Sequence, residues 1–411
     1  MKTKSTPHRI HKSFLTAFNH PNFRLFFSGQ LISVSGTWMQ RVAQGWLVFS
    51  LTQSEWWLGV VAGVSGITML LAAPLAGAWI DRWSRRKLLI LAQTGEMIVA
   101  FLLAYLTFTS IVRVEQIVIM AGCLGLIAAV GEPARQALLK ELVGKADIAS
   151  GLSLNATMSN VAAIIGPALA GIALLRWGAG WCFLMNGLSY LAVIVSLVFV
   201  RVKDVERTAV SHPHVWQQVQ QGIHYVAQTP GIAVKILSAT VSSAIGIGMI
   251  QVLLPAYAST ILKQPEIGLV ALSIALGFGS IIAASGNVWL GSRWGQTRLA
   301  TLSMLILPFG SLLLALTNSL SVAVLIAGIL GFGYTVFFVT TNTLLQLEVD
   351  DVYRGRVLSL WSMNRFGISP ISALAIGGMA QLLGISATFT LCGLLAFILC
   401  YRLMVKGKKA A

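Results

Sequence analysis

Four ionisable side chains fall inside long apolar stretches of this sequence: the carboxylates Glu96 and Glu132 and the cations Arg41 and Arg365. A charge that is removed from water is costly unless it is neutralised or paired. A carboxylate can avoid this cost by holding a proton, so Glu96 and Glu132 are candidates to take up and release one. A guanidinium stays charged, so we expect Arg41 to face water, a substrate carboxylate or phenolate, or a protein partner. Arg365 is a lone cation in its stretch and likewise needs an explanation.

Each of these assignments has a simpler alternative. Arg41 lies about two thirds of the way along its apolar stretch and could extend its guanidinium to the nearer surface. Glu132 could pair with Arg135, three positions on, or with the basic cluster around Arg85. The proton carrier could therefore be either carboxylate or neither.

A polar stripe accompanies Arg41. Its residues recur at steps of three and four, which places them on one face of a helix; they are Gln30, Ser33, Thr37, Gln40, Arg41 and Gln44. Such a face cannot lie against lipid, so we expect it to border a water-filled cavity. Other polar and aromatic groups in apolar stretches are candidates for the same cavity, although each could equally serve helix packing: Asn155, Gln251, Tyr334, Asn342, Trp361, Asn364 and Arg365. A cavity of this composition suits an amphiphilic, partly aromatic ligand.

The elements that position these residues are predicted to be membrane-spanning helices. The 411 residues are 56% hydrophobic and only 10% charged, whereas a soluble domain has about 25% charged residues. A bilayer core takes about 20 apolar residues per helix, because backbone groups must bond internally in hydrocarbon. Stretches of that length predict twelve spans, near 25–49, 57–80, 88–110, 116–137, 151–175, 181–200, 236–261, 267–290, 299–317, 320–345, 357–383 and 386–404.

The net charge of +16 is explained by membrane topology. With the N-terminus in the cytoplasm, only Arg113, Arg176 and Lys263 fall in outer loops, and Arg41 and Arg365 fall within spans. The other 24 of the 29 Lys and Arg residues then lie in inner segments. The positive-inside rule therefore predicts that both termini are cytoplasmic, and nucleic-acid binding is not expected.

Two similar halves are predicted on either side of the longest inner loop. The segment DRWSRRK after the second span resembles SRWGQTR after the eighth, and six spans lie on each side of the loop. Within the loop, Val215, Val219, Ile223 and Val226 recur at helical spacing, which predicts an interfacial helix. The predicted organisation is a tail at 1–24, a six-helix bundle at 25–200, a linker at 201–235, a second six-helix bundle at 236–404 and a tail at 405–411. The substrate site is expected where the halves meet.

The segment GAWIDRWSRRK resembles the GxxxDRxxRR loop signature of the major facilitator superfamily, through Gly77, Asp81, Arg82, Arg85 and Arg86. Three further stretches are similar to the branch that contains enterobactin exporters and macrolide efflux proteins: FRLFFSGQLISVSGTWMQRVAQGW, EPARQALLKELV and LNATMSNVAAIIGPALAG. The resemblance implies an all-α membrane protein with twelve transmembrane helices in two pseudo-symmetric six-helix bundles.

The same resemblance implies roles for two motifs. The loop signature would be a gate that holds the outward-open state, with Asp81 meeting the start of helix 11 near Arg356; alternatively, its basic residues only fix the topology. Ser292 stands where the second copy would need an acid, so only the first copy can supply an acidic latch. In helix 5, Gly166, Pro167 and Gly171 match an exporter element that seals the cavity, and a plain packing role is the alternative.

The sequence therefore predicts a secondary active exporter of a siderophore-like amphiphile that works by alternating access with proton antiport. A multidrug or macrolide efflux pump of the same fold is the alternative. The expected partners are a small-molecule substrate, the proton and membrane lipid, with room for a periplasmic or outer-membrane export partner. No enzymatic activity, metal or cofactor is expected, because the sequence has no phosphate-binding GxxxxGK[ST] loop, no CxxC pair and no histidine within a predicted span.

Overall fold

The computed structural model describes residues 15–200 and 215–410, with side chains throughout except at 74–82, 145, 149, 215–219, 247, 288, 351, 359, 362–367 and 406–410. These described ranges are almost entirely helical. Long apolar runs form helices because a helix satisfies every internal backbone hydrogen bond within the segment itself.

Six passes form the first half of the molecule. A short 3-10 helix at Thr16–Asn19 precedes them, and the helices are α1 (Pro21–Thr52), α2 (Glu55–Arg82), α3 (Arg85–Phe108), α4 (Val114–Trp177) and α5 (Ala179–Phe199). Helix α4 contains two passes, Val114–Gly144 and Ala146–Trp177. The break falls at Gly144, whose φ of 66° lies in the left-handed region that glycine tolerates.

The second half begins after the linker helix α6 (Val215–Gln228). Its helices are α7 (Pro230–Gly248), α8 (Leu254–Thr260), α9 (Pro265–Trp294), α10 (Gln296–Met304), α11 (Ile306–Leu316), α12 (Leu320–Glu348), α13 (Asp351–Gly367), α14 (Ser369–Leu383) and α15 (Ile385–Ala410). A π turn at Met249–Leu253 joins α7 to α8 as the seventh pass. The pairs α10–α11 and α13–α14 form the ninth and eleventh passes, so the described helices make twelve passes in all.

Prolines explain two departures from regular spans. Pro255 has no N–H for the carbonyl of Gln251, four positions earlier, and the chain accommodates this with the π turn, where the Leu254 N–H bonds to the Met249 carbonyl. The eleventh pass is interrupted at Ile368, just before a helix with Pro370 in its first turn. The predicted span 357–383 is therefore two helices rather than one.

Ten described helices or helix pairs are long and apolar enough to cross a membrane. The remaining two passes are α1, which carries the polar stripe, and the interrupted α13–α14 pair. The twelve predicted spans all correspond to helices, which extend beyond the predicted ends by up to seven residues.

Buried apolar clusters show how the halves meet. One cluster contains Phe23, Leu89, Leu138 and Leu197 and lies where α1 begins, on what we call the amino-terminal face; it involves only the first half. A second cluster, which includes Ile232, Phe338 and Trp361, involves only the second half. A third and larger cluster joins both halves through residues nearer the other ends of the helices, on what we call the opposite face.

Close contacts at the opposite face join α2 to α14. A Cβ added at Gly59 would lie 2.7 Å from the Ala373 carbonyl oxygen. The Ser54 hydroxyl donates to Gln381 Oε1 at 2.6 Å. Glycine is required at such a crossing because it lets two backbones approach within side-chain distance.

Candidate functional site

A cluster of four charged side chains lies within the first half. Glu132 Oε2 is 2.6 Å from Arg135 Nη2, and Arg135 Nη1 donates to Asn155 Oδ1 at 3.0 Å. Glu96 on α3 accepts a hydrogen bond from Gln93 Nε2 at 2.8 Å. It lies within electrostatic range of Glu132, Arg135 and Arg41. The structure therefore brings Arg41, Glu96 and Glu132 into one neighbourhood with Arg135.

The cluster lies about halfway across the membrane-spanning region. Glu96 is eleven residues after Arg85, where α3 begins, which corresponds to a depth of about 16 Å from the amino-terminal face. Glu132 is twelve residues before the break at Gly144. Two helices that run in opposite directions therefore bring their carboxylates to a similar level.

The polar stripe of α1 turns out to have two environments. Ser33 donates to Gln93 Oε1 at 3.3 Å, and the Thr37 hydroxyl lies 3.2 Å from the Tyr190 hydroxyl. Gln40 Oε1 accepts a hydrogen bond of 2.7 Å from Asn186. These residues face α3 and α5, so they connect helices within the first half.

Gln30 belongs to the same interior side of the stripe. Its side chain is only 3% exposed. Its Oε1 accepts no hydrogen bond from the described residues. Gln44 is half-buried.

Arg41 lies on another side of α1. It is exposed, and its guanidinium carbon is 5.1 Å from the ring centre of Trp38. Gly45, one turn further along α1, faces the second half: a Cβ added there would lie 3.2 Å from the Pro255 ring. Residues four apart share a helix face, so Arg41 faces the region between the halves. Gln251, four positions before Pro255, is also exposed.

Aromatic side chains dominate the candidate residues of the second half. The ring of Tyr334 lies 4.5 Å from that of Phe338, which lies 5.3 Å from that of Trp361. Trp361 is only 7% exposed. Asn342 is half-buried and accepts a hydrogen bond of 3.4 Å from Gln346. The side chains of Asn364 and Arg365 lie outside the described residues.

The fifth predicted span is the second pass of α4, and two of its glycines mark crossings with other helices. A Cβ at Gly166 would lie 2.7 Å from the Ser35 carbonyl oxygen, so α4 crosses α1 there. A Cβ at Gly171 would lie 2.6 Å from Val270 of α9, so this position contacts the other half. Pro167 is buried, and the helix continues through it without a non-helical residue.

The loop signature is described only in part. Arg85 Nη1 pairs with Glu141 Oε1 at 2.7 Å, and Arg86 donates to the carbonyls of Leu197 and Val198, each at 2.6 Å. Both arginines thus tie α3 to other helices of the first half. The side chains of Asp81 and Arg82, and the surroundings of Gly77, lie outside the described residues. In the second half, the Arg356 guanidinium carbon lies 5.3 Å from the Tyr353 ring centre.

Sequence reasoning missed several residues of these networks. Gln93 precedes Glu96 by three positions, a spacing that indicates a shared helix face. Asn186 and Tyr190 lie four apart in an apolar span, which is the same signal. Glu141 lies at the end of its apolar stretch and carried no distinguishing pattern.

Comparison with known proteins places this architecture in a family. A family model described as a transmembrane secretion effector matches residues 12–410. The chain is 26% identical over 378 residues to the staphyloferrin A transporter of Staphylococcus aureus, which covers 90% of this chain and 92% of the relative. It is 24% identical to the multidrug efflux pump Tap of Mycolicibacterium fortuitum, over 89% of this chain and 90% of the relative. It is also 24% identical to the enterobactin exporter EntS of Shigella boydii, over 89% of this chain and 86% of the relative.

Solved structures agree in fold. The nucleoside transporter NupG superposes with a TM-score of 0.75 at 12% identity, over 94% of this chain and 99% of that one. A bacterial homologue of the iron transporter ferroportin in an inward-facing state gives 0.72 at 16% identity, over 93% and 98%. The predicted fold of twelve helices in two six-helix bundles is thereby confirmed. The chain is a multi-pass membrane protein that belongs to the transmembrane secretion effector family of the major facilitator superfamily.

Proposed function

We propose that this protein is a secondary active exporter that moves a siderophore-like amphiphile out of the bacterial cytoplasm by alternating access. The observation that carries the proposal is the distribution of buried clusters. The halves share a core at the opposite face, whereas each has its own core at the amino-terminal face. Such an arrangement favours a cleft that opens at the amino-terminal face and is closed at the opposite one.

The orientation follows from charge. The distribution of Lys and Arg favours an orientation in the inner membrane with the amino-terminal face on the cytoplasmic side. In that orientation the described state is open to cytoplasmic cargo. The units that move would be the six-helix bundles at 25–200 and 236–404, joined by the linker at 201–235. Both tails, at 1–24 and 405–411, would be cytoplasmic.

The proposed cargo cavity lies between the charged cluster of the first half and the aromatic group of the second. Arg41 and Gln251 would face its closed end, because each is exposed and precedes the Gly45–Pro255 contact by four positions. Tyr334, Asn342 and Trp361 would contribute from the second half, together with Asn364 and Arg365. An amphiphile with an aromatic part fits such a lining.

Proton antiport is assigned to Glu96 in preference to Glu132. Glu132 already forms an ion pair with Arg135, whose Nη2 lies 2.6 Å from Glu132 Oε2. Glu96 is bonded to an amide, Gln93, and no Lys or Arg among the described residues lies within ion-pair distance of it. A carboxylate that is bonded to a neutral amide, as Glu96 is, can take up and release a proton without breaking an ion pair. Asn155 and Glu132 would then hold Arg135 in place.

The gate is assigned to the loop signature. Arg85 and Arg86 bind within the first half in the described state, so they are suited to fixing the loop to that half. Asp81, flanked by Gly77 and Arg82, would make the variable contact with the start of α13 near Arg356. Gly166 and Gly171 would hold the closed end through their contacts with α1 and α9, and Pro167 lies between them.

The direct test is transport into inverted membrane vesicles, whose outer surface is the former cytoplasmic face. Enterobactin and staphyloferrin A are the first compounds to try, because two of the similar proteins carry their names. The proposal expects uptake when the vesicle interior is made acidic and loss of uptake when a protonophore is added. Absence of gradient-driven uptake for both compounds would contradict the siderophore assignment.

A multidrug efflux pump is the second candidate, supported by the similarity to Tap. The two functions differ in the phenotype of a deletion strain. Loss of siderophore from the medium with unchanged antibiotic susceptibility favours the first function. Raised antibiotic susceptibility with normal siderophore secretion favours the second.

A further inference from the structure

The linker helix α6 is held to the second half by one tyrosine contact. The rings of Tyr225 in α6 and Tyr353 in α13 stack with their centres 4.3 Å apart and their planes 14° apart. The Tyr225 hydroxyl donates to Asp350 Oδ2 at 3.1 Å and accepts from the Asp350 backbone N–H at 3.3 Å. Asp350 is the N-cap residue of α13, so Tyr225 holds the residue just before this helix. We call Tyr225, Asp350 and Tyr353 the linker clasp.

The same surface of α6 lies against Arg356. A Cβ added at Gly222 would lie 3.3 Å from Arg356 Cβ and 3.1 Å from Leu360 Cδ1, so the bare backbone of Gly222 allows this close approach. The Arg356 guanidinium lies over the Tyr353 ring at 5.3 Å, which is within cation–π range. The arginine assigned to the gate is therefore packed against the clasp in this structure.

Helix α6 is closely coupled to the second half through its other end. It ends at Gln228 and α7 begins at Pro230, so Thr229 alone connects them. The Thr229 carbonyl accepts the N–H groups of Ile232 and Ala233. A joint of one residue leaves α6 little freedom to move away from α7.

The eleventh pass is divided into a part that contacts the first half and a part that contacts α6. Its second part, α14, packs on α2 of the first half, where Gly59 meets the Ala373 carbonyl. Its first part, α13, packs against α6. The break at Ile368 separates the two parts. Opening of the α2–α14 contact can therefore change the angle between α14 and α13, and the clasp sets the position of α13.

We propose that the linker clasp is a conformational latch, which stabilises the state with the opposite face closed and must release before Arg356 can join Asp81 in the gate. The proposal rests on the alternating access proposed above. An interaction shifts an equilibrium only when its free energy differs between the two states. The clasp meets this condition because Tyr225 stacks on Tyr353, and Tyr353 is the ring that the Arg356 guanidinium must leave to reach the other half.

The test measures the closed fraction at the opposite face by cross-linking. In a chain whose four cysteines (Cys123, Cys182, Cys392 and Cys400) are replaced by alanine, Ser54→Cys and Gln381→Cys place two thiols at the hydrogen-bonded pair. A short bifunctional thiosulfonate then links them only while this face is closed. The full-length chain is assayed in lipid nanodiscs without cargo, and the rate of linking is recorded.

Two substitutions at Tyr225 are expected to lower the ratio of closed to open states by different amounts. Tyr225→Ala removes the stack and both hydrogen bonds, for an expected loss of about tenfold. Tyr225→Phe keeps the stack and removes only the hydroxyl, for an expected loss of about threefold. Because the second change is conservative, it separates a latch effect from a failure to fold.

His224→Ala is the matched control, since His224 neighbours Tyr225 but bonds to Gln228 of its own helix at 2.9 Å. It should leave cross-linking unchanged. Unchanged cross-linking in both Tyr225 variants would overturn the proposal, because α6 would then accompany α13 equally in both states. An equal loss in His224→Ala would overturn it too. If the Tyr225 substitutions lower cross-linking but vesicles take up neither siderophore, the latch is retained and the siderophore assignment fails. Uptake of a siderophore with unchanged cross-linking in the Tyr225 variants would do the reverse.

Discussion

Gly166 of α4 packs directly on the backbone of α1, so that a Cβ at this position would lie 2.7 Å from the carbonyl oxygen of Ser35. Backbone cannot move aside as the end of a flexible side chain can. Gly166→Ala should therefore force the two helices apart, at a cost of about 1–3 kcal/mol. Thermal unfolding of the purified protein in detergent should show a transition several degrees lower.

Gly231→Ala is the control for this change. Gly231 lies in the first turn of α7 with nothing within 4 Å of an added Cβ. The substitution should be neutral or slightly stabilising, because alanine is the better helix former. Equal unfolding temperatures for the Gly166 and Gly231 variants would show that the α1–α4 crossing tolerates separation.

Glu96→Gln should uncouple transport from the proton gradient. The glutamine keeps a hydrogen-bonding partner for Gln93 but cannot exchange a proton. Uptake into inverted vesicles should no longer respond to interior acidity, while exchange of labelled for unlabelled cargo across the membrane should persist. Retained gradient-driven uptake in this variant would show that another group carries the proton.

Glu132→Gln should act in a different way. It leaves Arg135 without its carboxylate at 2.6 Å, and Arg135 is only 14% exposed. Removing one partner of a partly buried ion pair leaves the other charge uncompensated and destabilises the protein. Protein yield and unfolding temperature should therefore fall. The remaining folded protein should still respond to the gradient, and a selective loss of that response with normal stability would move the proton role to Glu132.

Asp81→Asn should leave the protein in the membrane but reduce transport severely. The change preserves shape and removes the charge on which the proposed gate depends. Ser292→Ala is the control, because Ser292 occupies the corresponding place in the second half and bonds only to the Trp289 carbonyl among the described residues. Full transport by Asp81→Asn, with normal amounts of protein in the membrane, would remove the gate role.

The Arg85–Glu141 pair should make only a modest contribution to stability. Its side chains are 28% and 24% exposed, so solvent screens part of the interaction. A double-mutant cycle with Arg85→Gln and Glu141→Gln should give a coupling energy of about 0.5–1 kcal/mol. A coupling energy near zero would show that Arg85 is held by the Ala137 carbonyl and packing instead.

Much of the fold could be predicted because lipid imposes one dominant rule. An apolar stretch of membrane length has to be helical, so the twelve spans and the division into halves follow from counting. Local exceptions were harder to predict. Pro255 and Pro370 indicate disturbed helices, yet only the structure shows a π turn at Met249–Leu253 and a break at Ile368. The short break at Gly144 was not predicted either, because the sequence placed the whole segment 138–150 between two spans.

The site was predictable only where residues lie close in sequence. The Glu132–Arg135 pair follows from a spacing of three. The Gln40–Asn186 bond joins residues 146 positions apart, and periodicity cannot identify such a partner. For the same reason the stripe on α1 predicted a cavity face, whereas Ser33, Thr37 and Gln40 are bonded to other helices. A polar side chain in a membrane can be satisfied by a neighbouring helix as well as by water.

The central claim is that the contact at the opposite face must open during each cycle. The direct measurement is cargo uptake into inverted vesicles that carry Ser54→Cys and Gln381→Cys in the cysteine-free chain, before and after cross-linking and again after reduction. Cross-linking should abolish uptake, and a reducing agent should restore it. Undiminished uptake by the cross-linked protein would rule out alternating access through this contact, because cargo would then cross the membrane while α2 and α14 stay joined.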